Sequence, residues 1–175
     1  MAFIMTKAEL QKATGDIYYE AQMLYDTYMN YWKHEPLARN GQPQWLHYCI
    51  IEATLIHTRA LLVFFERTRT TPLGQKPPRK DEVFAEDYSF APECFPFSSD
   101  LRKRINTSIA HLSYGRTQIT DDKRYWDFVG FIPPILFRSA DFFRHLLDSR
   151  HPRSSYPGDP TIEQFIANAK AQNPS

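Results

Sequence analysis

Apolar residues recur at spacings of three and four along most of the chain, and the breaks in that rhythm divide it into helices. Ile17, Tyr18, Ala21, Leu24, Tyr25, Tyr28 and Trp32 predict a first amphipathic helix from about Thr6 to Glu35, with Thr6 and Glu9 spaced as a capping box. Pro36 and Asn40-Gly41 close it. A second helix is expected from near Pro43 to about Arg69. Its stripes run through Trp45, Tyr48, Cys49, Glu52, Leu55, Ile56, Arg59, Leu62, Val63 and Glu66, and the run LLVFF makes its second half deeply apolar. A third helix opens at Ser98, Ser99 or Asp100, any of which can cap it, and ends at Gly115.

In the fourth region, Asp121 to Arg150, Pro133-Pro134 must interrupt the helix or begin it, because proline lacks the amide an interior position needs. The long helix is therefore placed at Pro134–Ser149, after a shorter or kinked segment. Beyond the breakers of His151–Pro160, Thr161–Lys170 predicts a short surface helix. No segment alternates as a strand does. The expectation is an all-α protein: a four-helix bundle over residues 1–150 and a tail over 151–175 with a short helix.

The connection from Thr70 to Ser98 breaks the pattern with Pro72, Pro77, Pro78, Pro92 and Pro96. It is electrically polarised: Arg67, Arg69, Lys76, Arg79 and Lys80 precede Asp81, Glu82, Glu86, Asp87 and Glu93. Two such blocks are expected to neutralise each other, and DEVFAEDY fits two helical turns. A connection this long in a compact domain is commonly functional or disordered.

Composition narrows the function classes. With 175 residues, 42% apolar and 15% aromatic, the chain can bury the core of one domain. Its 21 basic residues against 20 acidic ones leave a net charge of +1, so an anion site must be a local patch. No uninterrupted run of about eighteen apolar residues occurs, and a membrane span is not expected. The start, MAFIMTKAELQK, lacks the pattern of a secretory signal. Cys49 and Cys94 form neither a ligand pair nor a disulfide framework, which points to a reducing cytoplasm. The six histidines include no His-x-x-x-His and no Glu-x-x-His, the ligand spacings of bundle metal sites, so no metal and no cofactor are assigned. Glu52 and Arg59, seven apart on the second helix, read as a buried interhelical ion pair, with His57 on another face. In a sharper reading, Arg59 or His57 lines a functional cleft.

The chemistry concentrates on the third helix. Leu101, Ile105, Ser108, Ile109 and Leu112 form its core stripe. Arg104 and His111, seven apart, lie on nearly one line at the margin of that stripe, roughly 10 Å apart along the axis. Transesterification of RNA by its own 2′-hydroxyl needs a group that moves protons near neutral pH, as histidine does, and a planar cation on the phosphate, as arginine supplies. Two such helices meeting across a two-fold axis would supply two His–Arg pairs around one bond. Asn106 can orient the histidine or hold a phosphate oxygen, and Arg116 can reach a phosphate. The plainer reading makes His111 a hydrogen-bonded structural histidine and Arg104 the partner of Asp100.

A late helix carrying Arg, a few residues and then His resembles the HEPN superfamily of prokaryotic toxins and abortive-infection proteins. Arg104 and His111 bracket six residues, and RINTSIAHLSYGR resembles the abortive-infection branch in particular. The resemblance extends loosely from Trp45 to Leu147. It implies a dimeric helical bundle in the cytoplasm, joined through the third helix, and a metal-independent endoribonuclease of toxin–antitoxin or phage-defence type. Arg104 and His111 would match its catalytic pair and an antitoxin or partner protein would control it, with Asn106 added to the catalytic set and Arg59 and Arg116 to the RNA contacts on their positions alone. Ile105 stands where many active members carry a polar residue, which keeps a non-catalytic binding or scaffold module as the alternative, ahead of a metal-dependent bundle hydrolase.

Overall fold

The computed structural model describes residues 5–38, 44–70, 77–79, 81–110, 126–149 and 158–172. They form helices α1 (Lys7–Ala38), α2 (Gln44–Glu66), α3 (Ser99–Ala110), α4 (Phe128–Asp148) and α5 (Asp159–Lys170), with one 3-10 turn at Ala85–Tyr88 and no strand among the described residues. The all-helical class and the short C-terminal helix agree with the periodicity.

The capping box opens α1 as expected: the Thr6 amide donates to Glu9 Oε2 at 2.7 Å and the Glu9 amide to Thr6 Oγ1 at 3.3 Å. These bonds hold the Glu9 carboxyl below its ordinary pKa. Ile17, Tyr18, Ala21, Leu24, Tyr28 and Tyr31 face inward. α1 packs along α2, whose buried side includes Thr54, Leu55, Thr58, Leu61, Phe64 and Phe65. The two threonines are tolerated there because each hydroxyl donates to the carbonyl four residues back, at 2.7 Å.

α2 ends at Glu66 rather than Arg69, because Arg69 is taken by the loop. Its Nε and Nη2 donate to Asp87 at 3.1 and 2.9 Å, and Nη2 also reaches the Glu82 carbonyl at 2.7 Å. Arg67 and Arg79 pair with Glu82 as well, so the basic and acidic blocks neutralise each other. The expected two turns of helix reduce to one 3-10 turn. Asp87 reaches back to accept from the Phe84 amide at 2.9 Å, and Ser89 leaves the turn in the left-handed region at φ 58°. Phe84, Ala85 and Tyr88 are fully buried, so the loop plugs one side of the bundle.

α4 starts six residues before Pro134, correcting the expected boundary. Asp127 caps it by accepting from the Gly130 amide at 3.2 Å; a side chain at Gly130 would collide with that carboxylate, its Cβ falling 2.7 Å from Oδ2. The prolines remove the donors for the Val129 and Gly130 carbonyls. Both residues are exposed, where solvent can stand in for the lost donors, and the helix continues through the prolines. Phe142 of α4 meets Phe64, Tyr88, Phe90 and Phe143 with ring centroids 5.0–5.4 Å apart. α5 packs on α4 and contributes Ile162, Phe165, Ile166 and Ala169 to the same core.

By length and mean hydropathy, Trp45–Glu66 is apolar enough to cross a bilayer, although its apolar run is interrupted by charged residues. Within the fold its inward side is core.

Candidate functional site

α3 is positioned from its first turn. Ser98 Oγ accepts from the Leu101 amide at 3.1 Å, and Ile105 is buried. Arg102 forms an ion pair with Glu66 at the end of α2 and donates to the carbonyls of Phe95 (2.6 Å) and Phe97 (3.4 Å). Glu66 also accepts from the Phe95 amide at 3.0 Å. The hydrogen bond to Glu66 raises the Arg102 pKa from its ordinary value. Arg102 thus ties α3, the end of α2 and the last residues of the loop together.

Arg104, on the same helix, lies over the Trp126 ring with its guanidinium carbon 3.9 Å from the centroid. Trp126 is itself buried and stacks within 8° of parallel on Phe128 at the head of α4. Half-burial of Arg104 lowers its pKa from the ordinary value, yet a guanidinium stays protonated at any physiological pH. A cation over an indole face is attracted by the ring, and a guanidinium has donors suited to a planar or tetrahedral anion. Asn106 is exposed beyond it, as are Lys103 and Thr107. His111 and Arg116 lie outside the described residues, as does the side chain of Ser108. The structure therefore places Arg104 and Asn106 on one short helix.

Arg59 is exposed on the outward side of α2, and so is Glu52, which corrects the expected buried ion pair. The helix turns its 54–58–61–65 line inward, and positions 52 and 59 fall on the opposite side. Among the described residues, α1 and α2 are joined instead by His57 and Glu20, whose Nδ1 and Oε2 lie 2.7 Å apart, with Tyr19 edge-on to the imidazole at 5.9 Å. His145 is structural too, its Nε2 lying 3.0 Å from the Tyr88 carbonyl. Among the described residues no three His, Cys, Asp or Glu side chains gather as metal ligands.

Sequence reasoning singled out Arg104 and missed its platform. Trp126 lies 22 positions away, just before α4, and meets Arg104 only in the folded chain. It also missed Arg102, whose neighbours in sequence carry no sign of Glu66. No family model matches the chain, and neither a curated protein nor a solved structure matches it.

Proposed function

We propose that the protein is a metal-independent endoribonuclease of toxin or abortive-infection type, with Arg104 and His111 as its catalytic pair. The observation that supports this most is the placement of Arg104 over the Trp126 ring, which anchors the first member of the Arg-x6-His motif. In this reading His111 accepts the proton of the substrate 2′-hydroxyl, whose oxygen attacks the adjacent phosphorus. The bond to the 5′-oxygen breaks and that oxygen takes up a proton, leaving a 2′,3′-cyclic phosphate and a 5′-hydroxyl. Arg104 offsets the charge that develops on the non-bridging oxygens. Asn106 orients the histidine or a phosphate oxygen, while Arg59 and Arg116 contact flanking RNA. The proposal includes a cytoplasmic homodimer that presents two copies of α3 and is restrained by an antitoxin or partner protein.

A second reading, a non-catalytic binding or scaffold module, is favoured by one observation: Arg104 is half-buried against an indole, as a purely structural arginine would be.

The test is RNA cleavage in EDTA by wild type beside His111→Ala and Arg104→Lys, with helical content monitored by circular dichroism. Wild type should leave 2′,3′-cyclic ends. His111→Ala should lose about 10²–10⁴-fold in rate, the usual contribution of a general acid–base group. Arg104→Lys should also fall, since an ammonium reproduces neither the stack nor the planar fork. Equal rates in wild type and His111→Ala would refute the catalytic assignment. No cleavage by either would leave the binding module as the better account.

A further inference from the structure

Away from α3, a cleft of about 470 Å³ opens where the start of α4 lies beside the end of α5, with Tyr28 of α1 among its walls. α4 contributes Val129, Gly130, Pro133 and Pro134. A helical carbonyl points along the axis toward the amide four residues on, so the Val129 and Gly130 oxygens aim at Pro133 and Pro134, which have no N–H to give. Val129 is 52% exposed, so this turn is accessible.

α5 contributes Ala171 and Gln172, the two residues that follow its last turn. Their amides donate back to the Ala167 and Ala169 carbonyls at 3.1 and 3.2 Å. What α5 presents here is the carbonyl end of a helix, with its partial negative charge. The Gly130 amide is taken by Asp127, whose exposed carboxylate adds a full negative charge at the head of α4. Lys170, the basic residue in the last turn of α5, pairs with Asp141 at 3.4 Å. The cleft thus offers acceptors and negative potential, with proline rings and Val129 as apolar walls. Its volume is that of a site for an organic ligand rather than a bare ion, and among the described residues no metal-ligating cluster occurs.

We propose that this cleft binds a primary alkylammonium group, its N–H donors on the Val129 and Gly130 carbonyls and its methylene stem along Pro133 and Pro134. A free polyamine and a lysine side chain of another protein carry this same chemistry. The N–H donors replace water on the two carbonyls and reproduce its hydrogen bonds, so the gain comes from charge and from the covered stem. The proposal rests on α1, α4 and α5 and does not depend on RNA cleavage.

Isothermal titration of the full chain at low salt with spermidine, and separately with Nα-acetyl-lysine methylamide, tests it. At least one should bind with a Kd on the order of 1 mM or below, as expected for a ligand of about ten heavy atoms. A lysine amide that binds within about tenfold of spermidine points to a protein side chain, since spermidine carries more charge; spermidine alone points to a free polyamine. Tetramethylammonium, a cation without N–H donors, should bind at least about tenfold more weakly, because it leaves the carbonyls unpaired. Pro134→Ala restores the amide that the Gly130 carbonyl lacks and should weaken binding about fivefold, the worth of one hydrogen bond, while the exposed position keeps the fold intact. Asp127→Asn keeps an oxygen for the cap and removes the charge; it should weaken binding at low salt and cease to matter at high salt. No binding of either probe up to about 10 mM, equal binding of tetramethylammonium, or a Kd indifferent to both substitutions would overturn the proposal.

Discussion

Replacing Arg102 by Met should destabilise the protein by about 2–3 kcal/mol. Breaking a fully buried ion pair by removing one partner costs roughly 3–5 kcal/mol, because the remaining charge is stranded, whereas exposed pairs contribute about 0–1. The Arg102 and Glu66 side chains are 25% and 16% exposed, which sets this pair nearer the buried limit and discounts it for water that reaches the carboxylate. Glu66 would keep the Phe95 amide as a donor, while the Phe95 and Phe97 carbonyls lose theirs. Urea unfolding followed at 222 nm gives the magnitude. A double-mutant cycle with Glu66→Gln isolates the coupling, expected at about 1–3 kcal/mol of the kind seen for residues in one network. Hydrogen exchange supplies a local readout, with protection at the Phe95 amide falling in the Arg102→Met protein. A loss below about 0.5 kcal/mol, the range of ordinary surface substitutions, together with zero coupling would show that Arg102 does not hold α3 to α2.

Tyr88 supplies a pH test. Burial pushes its hydroxyl up to about 12, and that hydroxyl donates to the Leu10 carbonyl at 2.7 Å. Its folded pKa exceeds the unfolded value, so its contribution is intact below about pH 10 and lost as pH rises toward 12, by roughly 2–3 kcal/mol in all. Stability measured from pH 9 to 12 should fall in wild type and fall less in Tyr88→Phe; identical slopes would exclude Tyr88 as the titrating group. At the candidate site, Trp126→Phe should weaken the stack on Arg104 by about 0.5–1 kcal/mol. If that stack orients Arg104 for catalysis, the rate losses of Trp126→Phe and Arg104→Lys should be non-additive, whereas full activity in Trp126→Phe would reduce the indole to packing.

The helices were legible wherever one face is polar. α1, with its capping box, and α5 follow the 3.6-residue period closely. α2 was legible as a helix and illegible as a surface: Trp45, Tyr48 and Ile56 match the apolar period as well as Leu55 and Leu62 do. When a helix is apolar on most sides, periodicity cannot say which side is covered. That is why Glu52 and Arg59 were assigned to the interior. The start of α4 was missed because the proline rule assumes a lost hydrogen bond in a dry place. At Val129 and Gly130 the orphaned carbonyls are wet, and the rule weakens. The polarised loop was read correctly as two neutralising blocks, but its burial of Phe84 and Tyr88 depends on which arginine meets which acid, and those partners lie 10 to 20 positions apart.

The candidate site shows the same division between local and long-range information. Arg104 stands at the margin of the α3 core stripe because Ile105 beside it is fully inward, a consequence of one helical turn that any reader of the sequence can draw. What occupies that margin is decided elsewhere. Asp127 starts α4 early, the early start sets Phe128 into the core, and Phe128 stacks Trp126 flat where Arg104 can lie on it. Arg102 fixes the other side of the helix through Glu66. α3 is thus held on opposite sides of its first half, by Arg102 to α2 and by Arg104 to Trp126. Lys103, Asn106 and Thr107 face outward on the same helix. If Arg104 holds the phosphate as proposed, cleavage turns on whether His111 accepts the proton of the attacking 2′-hydroxyl.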